Sequence, residues 1–313
     1  MNGLKYTNLP NAINKENIDK LYGNKMQTSV SKLEQYRTCP FSFHLKYGLR
    51  LKEEEKLELK AIDTGSFMHD VIDEFFDRVK NKEIDIKNIQ EEELEKIVRE
   101  ILHEKLLLAK NAMFTSTSKF KILIRKLEKV VIQSVKYIVQ SLAYSNFEIL
   151  GNEVEFKHGG EYPPIELSLE DGRKVEITGK IDRIDIAEGE KGKYIRIVDY
   201  KSSVKNIELN EVMFGLQLQL ITYLDEVVSK QDYFPAGILY FNLIDPIITA
   251  SSNKSEEEIK NEINKNFKMK GLVLADLNII KMMDTKLDKG YSNLVPVYIG
   301  KEGNLSQNLS SAI

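Results

Sequence analysis

Two apolar, β-branched runs joined by a short glycine-flanked stretch do most to limit how this chain can fold. The first, 174–186, contains Gly179-Lys-Ile-Asp-Arg-Ile-Asp185, and the second, 194–201, leads through Ile197-Val-Asp-Tyr-Lys-Ser-Ser203. Between them lies Glu188-Gly-Glu-Lys-Gly192, whose glycines supply the backbone freedom of a tight turn. The pattern predicts a β-hairpin centred near Glu190 and Lys191, with Asp182 opposite Asp199. Because side chains alternate between faces, Asp199 and Lys201 share one face, and Arg183 and Asp185 turn away from Asp182 into structural roles. Two acids and one ammonium on a sheet face can hold a hard divalent cation and polarise a phosphate. The plainer alternative is that Lys201 pairs with Asp199 or Asp182 as a structural ion pair, since 30% of the chain is charged. Ile195, Ile197 and Val198 mark the second strand as buried, where an uncompensated carboxylate is costly.

The rest of the chain frames this hairpin. Ser31-Lys-Leu-Glu34 has the capping-box form and predicts a helix to about Arg37. A second helix, 65–79, has Phe67, Met68, Val71, Ile72, Phe75 and Phe76 on a broad apolar surface, with His69 beside it. Residues 89–145 read as mostly helical, with a polar interruption at 115–118. Strands are expected at 149–156, 165–169 and 236–243, a helix at 209–229, and a capped helix from Ser255-Glu-Glu-Glu258. The last forty residues read as irregular, with a short strand at 295–299. The economical architecture is α/β: a mixed β-sheet flanked by helices, with a large helical insertion.

Four ordered motifs carry a family resemblance: Gly65-Ser-Phe-Met-His69, Gly179-Lys-Ile-Asp-Arg-Ile-Asp185, Val198-Asp-Tyr-Lys201 and Gln219-Leu-Ile-Thr-Tyr223. Together they resemble the RecB-like branch of the PD-(D/E)xK nucleases, whose fold is restriction-endonuclease-like. Ser31-Lys-Leu-Glu-Gln-Tyr-Arg-Thr-Cys-Pro-Phe41, Tyr47-Gly-Leu-Arg-Leu-Lys52 and Met269-Lys-Gly-Leu-Val-Leu-Ala-Asp276 look like the C-terminal nuclease region of AddB-type proteins. The likeness runs from about Lys20 to the end of the chain. It implies a lead-in segment at 1–27, a nuclease core at 28–250 with its helical insertion at about 88–145, and a C-terminal helix and tail at 251–313.

The resemblance also implies roles. His69, Asp182 and Asp199, with the Tyr200 carbonyl, would ligate Mg²⁺ or Mn²⁺. Lys201 would hold the attacking water and steady charge on the phosphate. Gln219 and Tyr223 would line the site from one helical face, since residues four apart share it. Gln217 has no such claim. Glu153 occupies a strand position where related nucleases often place a supporting acid, although an exposed strand glutamate is the simpler reading. Imidazole suits Mn²⁺ better than Mg²⁺, so His69 rests mainly on the resemblance. His44, His103 and His158 carry no motif.

AddB-type regions use four cysteines for a 4Fe–4S cluster, and Cys39 in Thr38-Cys-Pro-Phe41 matches the first of them. It is the only cysteine in the chain, and one thiolate cannot hold a cluster that needs four. The expectation is a piece of a longer protein, truncated before the remaining cluster cysteines, or a variant without the cluster. Within the chain itself Cys39 reads as a small buried hydrophobe.

Composition narrows the class further. With 313 residues and 42% hydrophobic content there is ample material for a core. One cysteine rules out a disulfide framework, and Met1-Asn-Gly-Leu-Lys-Tyr6 carries no signal-peptide pattern, so a cytoplasmic protein is expected. The run at 236–244 is too short to span a bilayer. A net charge of −3 is unusual for an autonomous DNA binder. Lys119, Lys121, Arg125, Lys126 and Lys129 form a local basic cluster, which on a helix reads as a solvated face. No Gly-x-x-x-x-Gly-Lys-Ser/Thr loop occurs, so ATP hydrolysis is not expected of this chain.

The resemblance then implies a metal-dependent exonuclease that cuts single-stranded DNA, on the strand ending 5′, during double-strand-break processing and recombinational repair. An AddA-like helicase/nuclease would be its partner and would supply the motor. Two other readings stay open: a DNA- or partner-binding module without activity, and a stand-alone exonuclease of the Cas4 or phage type.

Overall fold

The computed structural model describes residues 12–23, 25–52, 64–86, 88–108, 118–170, 172–246 and 255–313. The chain divides into two units, one comprising Met1–Glu55 with Phe156–Gly179 and the other Lys56–Glu155 with Lys180–Ile313.

In the smaller unit, helix α1 (Lys15–Tyr22) is followed by strand β1 (Lys25–Thr28), helix α2 (Val30–Thr38) and the short helix α3 (Pro40–Phe43). The N-cap of α2 is Ser29, which accepts the Lys32 N–H, and not the expected Ser31. Ser31 instead meets the Ser29 hydroxyl at 3.0 Å, so the capping-box spelling sits two residues inside the true start. Cys39 is half-buried and caps α3 by accepting the Ser42 N–H at 3.4 Å, which makes it a helix cap here and not a buried hydrophobe.

In the larger unit, helix α4 (Thr64–Lys80) precedes α5 (Glu91–Leu108) and α6 (Ser118–Ala143). Each presents an apolar stripe at helical spacing, and the three pack on one another around Val71, Ile72, Phe75, Val98, Ile101 and Val135. Lys119, Lys121, Arg125, Lys126 and Lys129 lie on the exposed side of α6, and Lys129 pairs with Asp245 at 3.0 Å. Of the polar interruption expected at 115–118, residues 115–117 lie outside the described residues.

Strand β2 (Glu148–Phe156) begins the sheet region. Strands β3 (Ile165–Ser168) and β4 (Lys174–Ile177) then return to the smaller unit, where β4 pairs parallel with β1 and antiparallel with β3. The stretch 174–186 was expected to run as one strand, and the structure breaks it. Thr178 donates from its backbone N–H (2.8 Å) and its hydroxyl (3.2 Å) to the Thr28 carbonyl, which ends the small ladder. Strand β5 (Gly179–Gly189) then starts in a different sheet. Both pieces are rich in β-branched residues, so composition gives no sign of the break.

The principal sheet has the order β2-β5-β6-β7-β8, with β6 at Gly192–Lys201, β7 at Phe234–Asn242 and β8 at Lys270–Val273. It is mixed: β5 and β6 are antiparallel, β6 and β7 parallel, β7 and β8 antiparallel. From Tyr194 to Tyr200 every residue of β6 is buried, as expected of a strand covered on both faces. Val198, Tyr200, Leu239 and Phe241 join the core built by α4–α6, while Ile195, Ile197 and Tyr240 alternate onto the other face.

Two further expectations need correcting. The helix predicted over 209–229 is two helices, α7 (Leu209–Met213) and α8 (Gln219–Gln231), separated by a turn in which Gly215 adopts φ +77°. The Gln217 side chain accepts the Glu208 N–H at 2.9 Å and donates to Glu211, which pins the turn. The tail is also more regular than its sequence suggests. After α9 (Glu256–Phe267), capped by Ser255 and Glu258 as expected, β8 joins the sheet edge and α10 (Leu277–Met283) follows. Gly271 hid β8 from the pattern: it sits at φ +141°, and a Cβ there would lie 2.2 Å from the Ile238 carbonyl oxygen. The short terminal strand narrows to β10 (Tyr298–Ile299), paired with β9 (Gly290–Tyr291).

Candidate active site

The β5–β6 hairpin closes through Glu190 and Lys191, with Gly189 paired to Gly192 and Arg183 to Val198. One more step of that register sets Asp182 across from Asp199, as the sequence predicts. Both carboxylates are buried. Asp182 accepts the Tyr200 N–H at 2.7 Å and lies 3.4 Å from His69 Nδ1. Asp199 holds the Lys201 ammonium at 2.5 Å.

This crowding sets the protonation of the group. Burial pushes the Asp199 carboxyl up to about 6, reinforced by Asp182 and opposed by Lys201. Burial likewise raises Asp182, against the Tyr200 N–H and the charges of Lys201 and Lys180. His69 is lowered, chiefly by burial, so its ring is held neutral with a lone pair to give. These are groups that gain from a cation.

Glu153 arrives from the neighbouring strand β2. Its backbone sits at φ +50°, a conformation rare for a residue with a side chain and disfavoured within a strand. One carboxylate oxygen pairs with Lys180, and the other is buried without a hydrogen-bond partner among the described residues. His69, Glu153 and Asp182 each offer a ligand atom, and these atoms lie within 4.8 Å of one another. Two carboxylates and an imidazole, with an unsatisfied buried oxygen among them, fit a divalent metal such as Mg²⁺ or Mn²⁺. Of the ligands the sequence suggested, His69 and Asp182 stand in this cluster, while the Asp199 oxygen is taken by Lys201. Tyr200 presents its backbone to Asp182, and its ring packs edge-on to His69 with centroids 5.8 Å apart.

Helix α8 packs against β6 and β7 and contributes the two residues expected of it. Tyr223 is buried, which raises its phenol, and it interacts with the Gln219 side chain, the Lys180 backbone and the charges of Asp199 and Asp182. Gln217 points elsewhere, into the Glu208–Glu211 turn.

Sequence reasoning missed two residues. Asp73 lies one helical turn beyond His69 on α4, buried, with Oδ1 lacking a hydrogen-bond partner among the described residues. Burial, then the Asp182 charge, pushes it up to about 8. An acid set inside the apolar run Val71–Phe76 was the available signal. Lys180 is the second, a half-exposed ammonium spelled out in Gly179-Lys-Ile-Asp182 and paired with Glu153.

Cys39 belongs to the smaller unit, and the single thiol of this chain does not fit an iron–sulfur cluster, which needs four ligands. No helix among the described residues is long and apolar enough to cross a membrane.

With this geometry in place, comparison with known proteins is informative. The PD-(D/E)XK nuclease superfamily matches the chain over residues 27–288. The chain is 42% identical over 311 residues to an ATP-dependent helicase/deoxyribonuclease subunit of Clostridium novyi, covering 97% of this chain and 27% of that protein. It is 39% identical over 314 residues to the protein of the same name from Acetivibrio thermocellus, with coverage of 98% and 27%. For the one from Ruminiclostridium cellulolyticum the identity is 39% over 319 residues, with coverage of 100% and 28%. The chain thus spans about a quarter of the length of the curated relatives it matches.

Proposed function

The chain belongs to the PD-(D/E)XK nuclease superfamily, and from that premise we propose that it is a divalent-metal-dependent deoxyribonuclease whose centre is the open end of the β5–β6 hairpin. The observation that carries this reading is the convergence of His69, Glu153 and Asp182 within 4.8 Å beside the Asp199–Lys201 pair. Isolated acids on a sheet face would not need a neutral imidazole, a positive-φ strand residue and an unsatisfied carboxylate oxygen to meet.

His69, Asp182 and Glu153 would hold the metal, with Asp199 and the Tyr200 carbonyl as further oxygen donors. A bound Mg²⁺ or Mn²⁺ supplies neutralisation of phosphate charge and activation of water. The protein supplies the rest. Lys201, oriented by Asp199, donates to a non-bridging phosphate oxygen or to the attacking water. Tyr223 and Gln219 add polar contacts from α8. Hydrogen bonding from the Tyr200 N–H keeps one Asp182 lone pair occupied, so the carboxylate presents its other oxygen in a fixed direction.

The substrate is single-stranded DNA, on the strand ending 5′, in an AddAB-type reaction that processes double-strand breaks with an AddA-like helicase as partner. The family resemblance and the printed names of the relatives support this, since those proteins are described as helicase/deoxyribonuclease subunits. The test is digestion of single-stranded DNA with Mg²⁺ or Mn²⁺ by the wild-type chain, Asp199→Ala and Lys201→Ala. Each variant is expected to lose about 10³-fold in rate, an effect of the size seen when a transition-state contact is removed. Metal-dependent cutting that survives both substitutions refutes the site.

A further inference from the structure

Register across the principal sheet sets Asp199 on β6 beside Tyr240 on β7, and Tyr240 beside Lys270 on β8. Residues in register share a face, so one row runs from the proposed metal centre to the edge strand. Four ammoniums belong to it. Lys201 and Lys205 both approach the Tyr240 ring, at 5.8 Å and 5.6 Å from its centroid, and the Lys205 N–H is anchored on Asn242 Oδ1 at 3.0 Å. Lys270 comes next in the row. Lys268, just before β8, is near enough to feel the Lys270 charge and lies over the Tyr291 ring, 5.5 Å from its centroid.

Beyond the Lys201–Asp199 pair the row has no acid to match it. Among the described residues Lys205, Lys268 and Lys270 make no ion pair. Acids are not scarce, since the chain holds 48 against 45 basic residues. Elsewhere the bases are matched: Lys129 pairs with Asp245, Lys136 with Glu91 and Glu95, and Arg99 with Glu95 and Glu128. Burial and then the Lys270 charge both lower Lys268, so keeping these two ammoniums together costs the fold something. An anion from outside the chain would relieve that cost. From Asp199 to Lys270 is two interstrand spacings, roughly 10 Å. One phosphate cannot span it, whereas a nucleic acid strand, at about 3.4 Å per nucleotide, covers it in about three.

We propose that Lys205, Lys270 and Lys268 form a phosphate track that holds the substrate strand across β7 and β8, reaching about three nucleotides beyond the bond being cut. The track rests on the nuclease reading and deepens it: affinity then depends on strand length past the scissile bond and not on base identity. The experiment measures cutting of a thymidine dinucleotide and an oligothymidylate decamer with Mn²⁺, over a range of salt. The wild-type chain is expected to show a KM for the decamer about 10-fold below that for the dinucleotide, which is too short to reach Lys270. Lys268→Ala combined with Lys270→Ala should remove most of that difference, with the loss falling on KM. The slope of log KM against log salt for the decamer should fall by about 1.4, at about 0.7 for each lost contact to a single strand. Lys268→Arg combined with Lys270→Arg keeps the charge and should keep the length preference. An alanine variant with the full preference and salt slope, or a wild type with no preference, overturns the track. An arginine variant that loses the preference assigns it to packing and overturns the track as well. A wild-type chain that cuts neither oligonucleotide overturns the active-site reading itself, and the track with it.

Discussion

On one face of the β5–β6 hairpin, Asp185 lies between two arginines, 2.9 Å from Arg183 Nε and 2.8 Å from Arg196 Nε, all three fully buried. Arg183 also donates to the Tyr200 hydroxyl at 3.1 Å, and Arg196 covers the Phe147 ring at 4.6 Å. On the other face, a residue away along the same strands, Asp182 and Asp199 are nearly as buried but are touched by a single backbone N–H, a neutral imidazole and the Lys201 ammonium, with Lys180 acting from its pair with Glu153. Burial is alike on the two faces, and what differs is the balance of charge. The first face is closed: it needs no cation, because its one carboxylate already lies between two guanidiniums. The second is deficient in positive charge, and Glu153 and Asp73 deepen the deficit. An incomplete charge balance at a strand end, and not the mere presence of acids, is what separates a binding centre from a structural ion cluster.

Removing the acid from the closed face should lower stability most. Asp185→Ala leaves two buried guanidiniums facing each other, and breaking a buried pair costs about 3–5 kcal/mol. We expect a fall in the thermal midpoint of about 10 °C, read by calorimetry. A midpoint within a degree or two of wild type would erase the distinction between the faces.

Glu153→Gln should act on the open face with little change in stability. Loss of one donor from the cluster is expected to raise the Mn²⁺ concentration for half-maximal cutting about 10-fold, comparable to losing a supporting contact at a metal centre. An unchanged metal requirement would return Glu153 to the status of a strand glutamate paired with Lys180.

A third test concerns pH. Asp73 keeps its proton up to about pH 8 in the folded chain, whereas an unfolded aspartate releases it near 3.8. Between those values the folded state binds more protons, so stability from this group falls as pH rises, and Asp199 adds the same sign up to about pH 6. Asp73→Asn removes the first of these dependences. Its melting midpoint without metal should match wild type near pH 4 and exceed it by about 10 °C at pH 8. Equal midpoints at both pH values would mean that Asp73 is ionised and compensated.

The open face was legible in the sequence to an uneven degree. The hairpin register could be read because glycines bracket its turn and both flanking runs are long enough to fix alternation. Gln219 and Tyr223 could be placed from their spacing of four, even though the helix bearing them starts ten residues later than expected. Glu153 could not be read with the same security, because its approach depends on a single positive φ within β2 that composition does not announce. Asp73 was hidden for the opposite reason: helical periodicity puts it on the apolar side of α4, where an acid looks like an interruption. The break at Thr178 depends on a pairing with Thr28, about 150 residues away in sequence, which no local pattern carries.

The open face makes its sharpest claim in direct Mn²⁺ binding, followed by electron paramagnetic resonance on the folded chain without DNA. Wild type should take up the ion at a saturable high-affinity site, Asp182→Asn should lose that site while melting no earlier than wild type, and Asp185→Glu should keep it. Saturable binding of undiminished affinity in Asp182→Asn would contradict the account, since the uncompensated carboxylates would then not be what holds the metal.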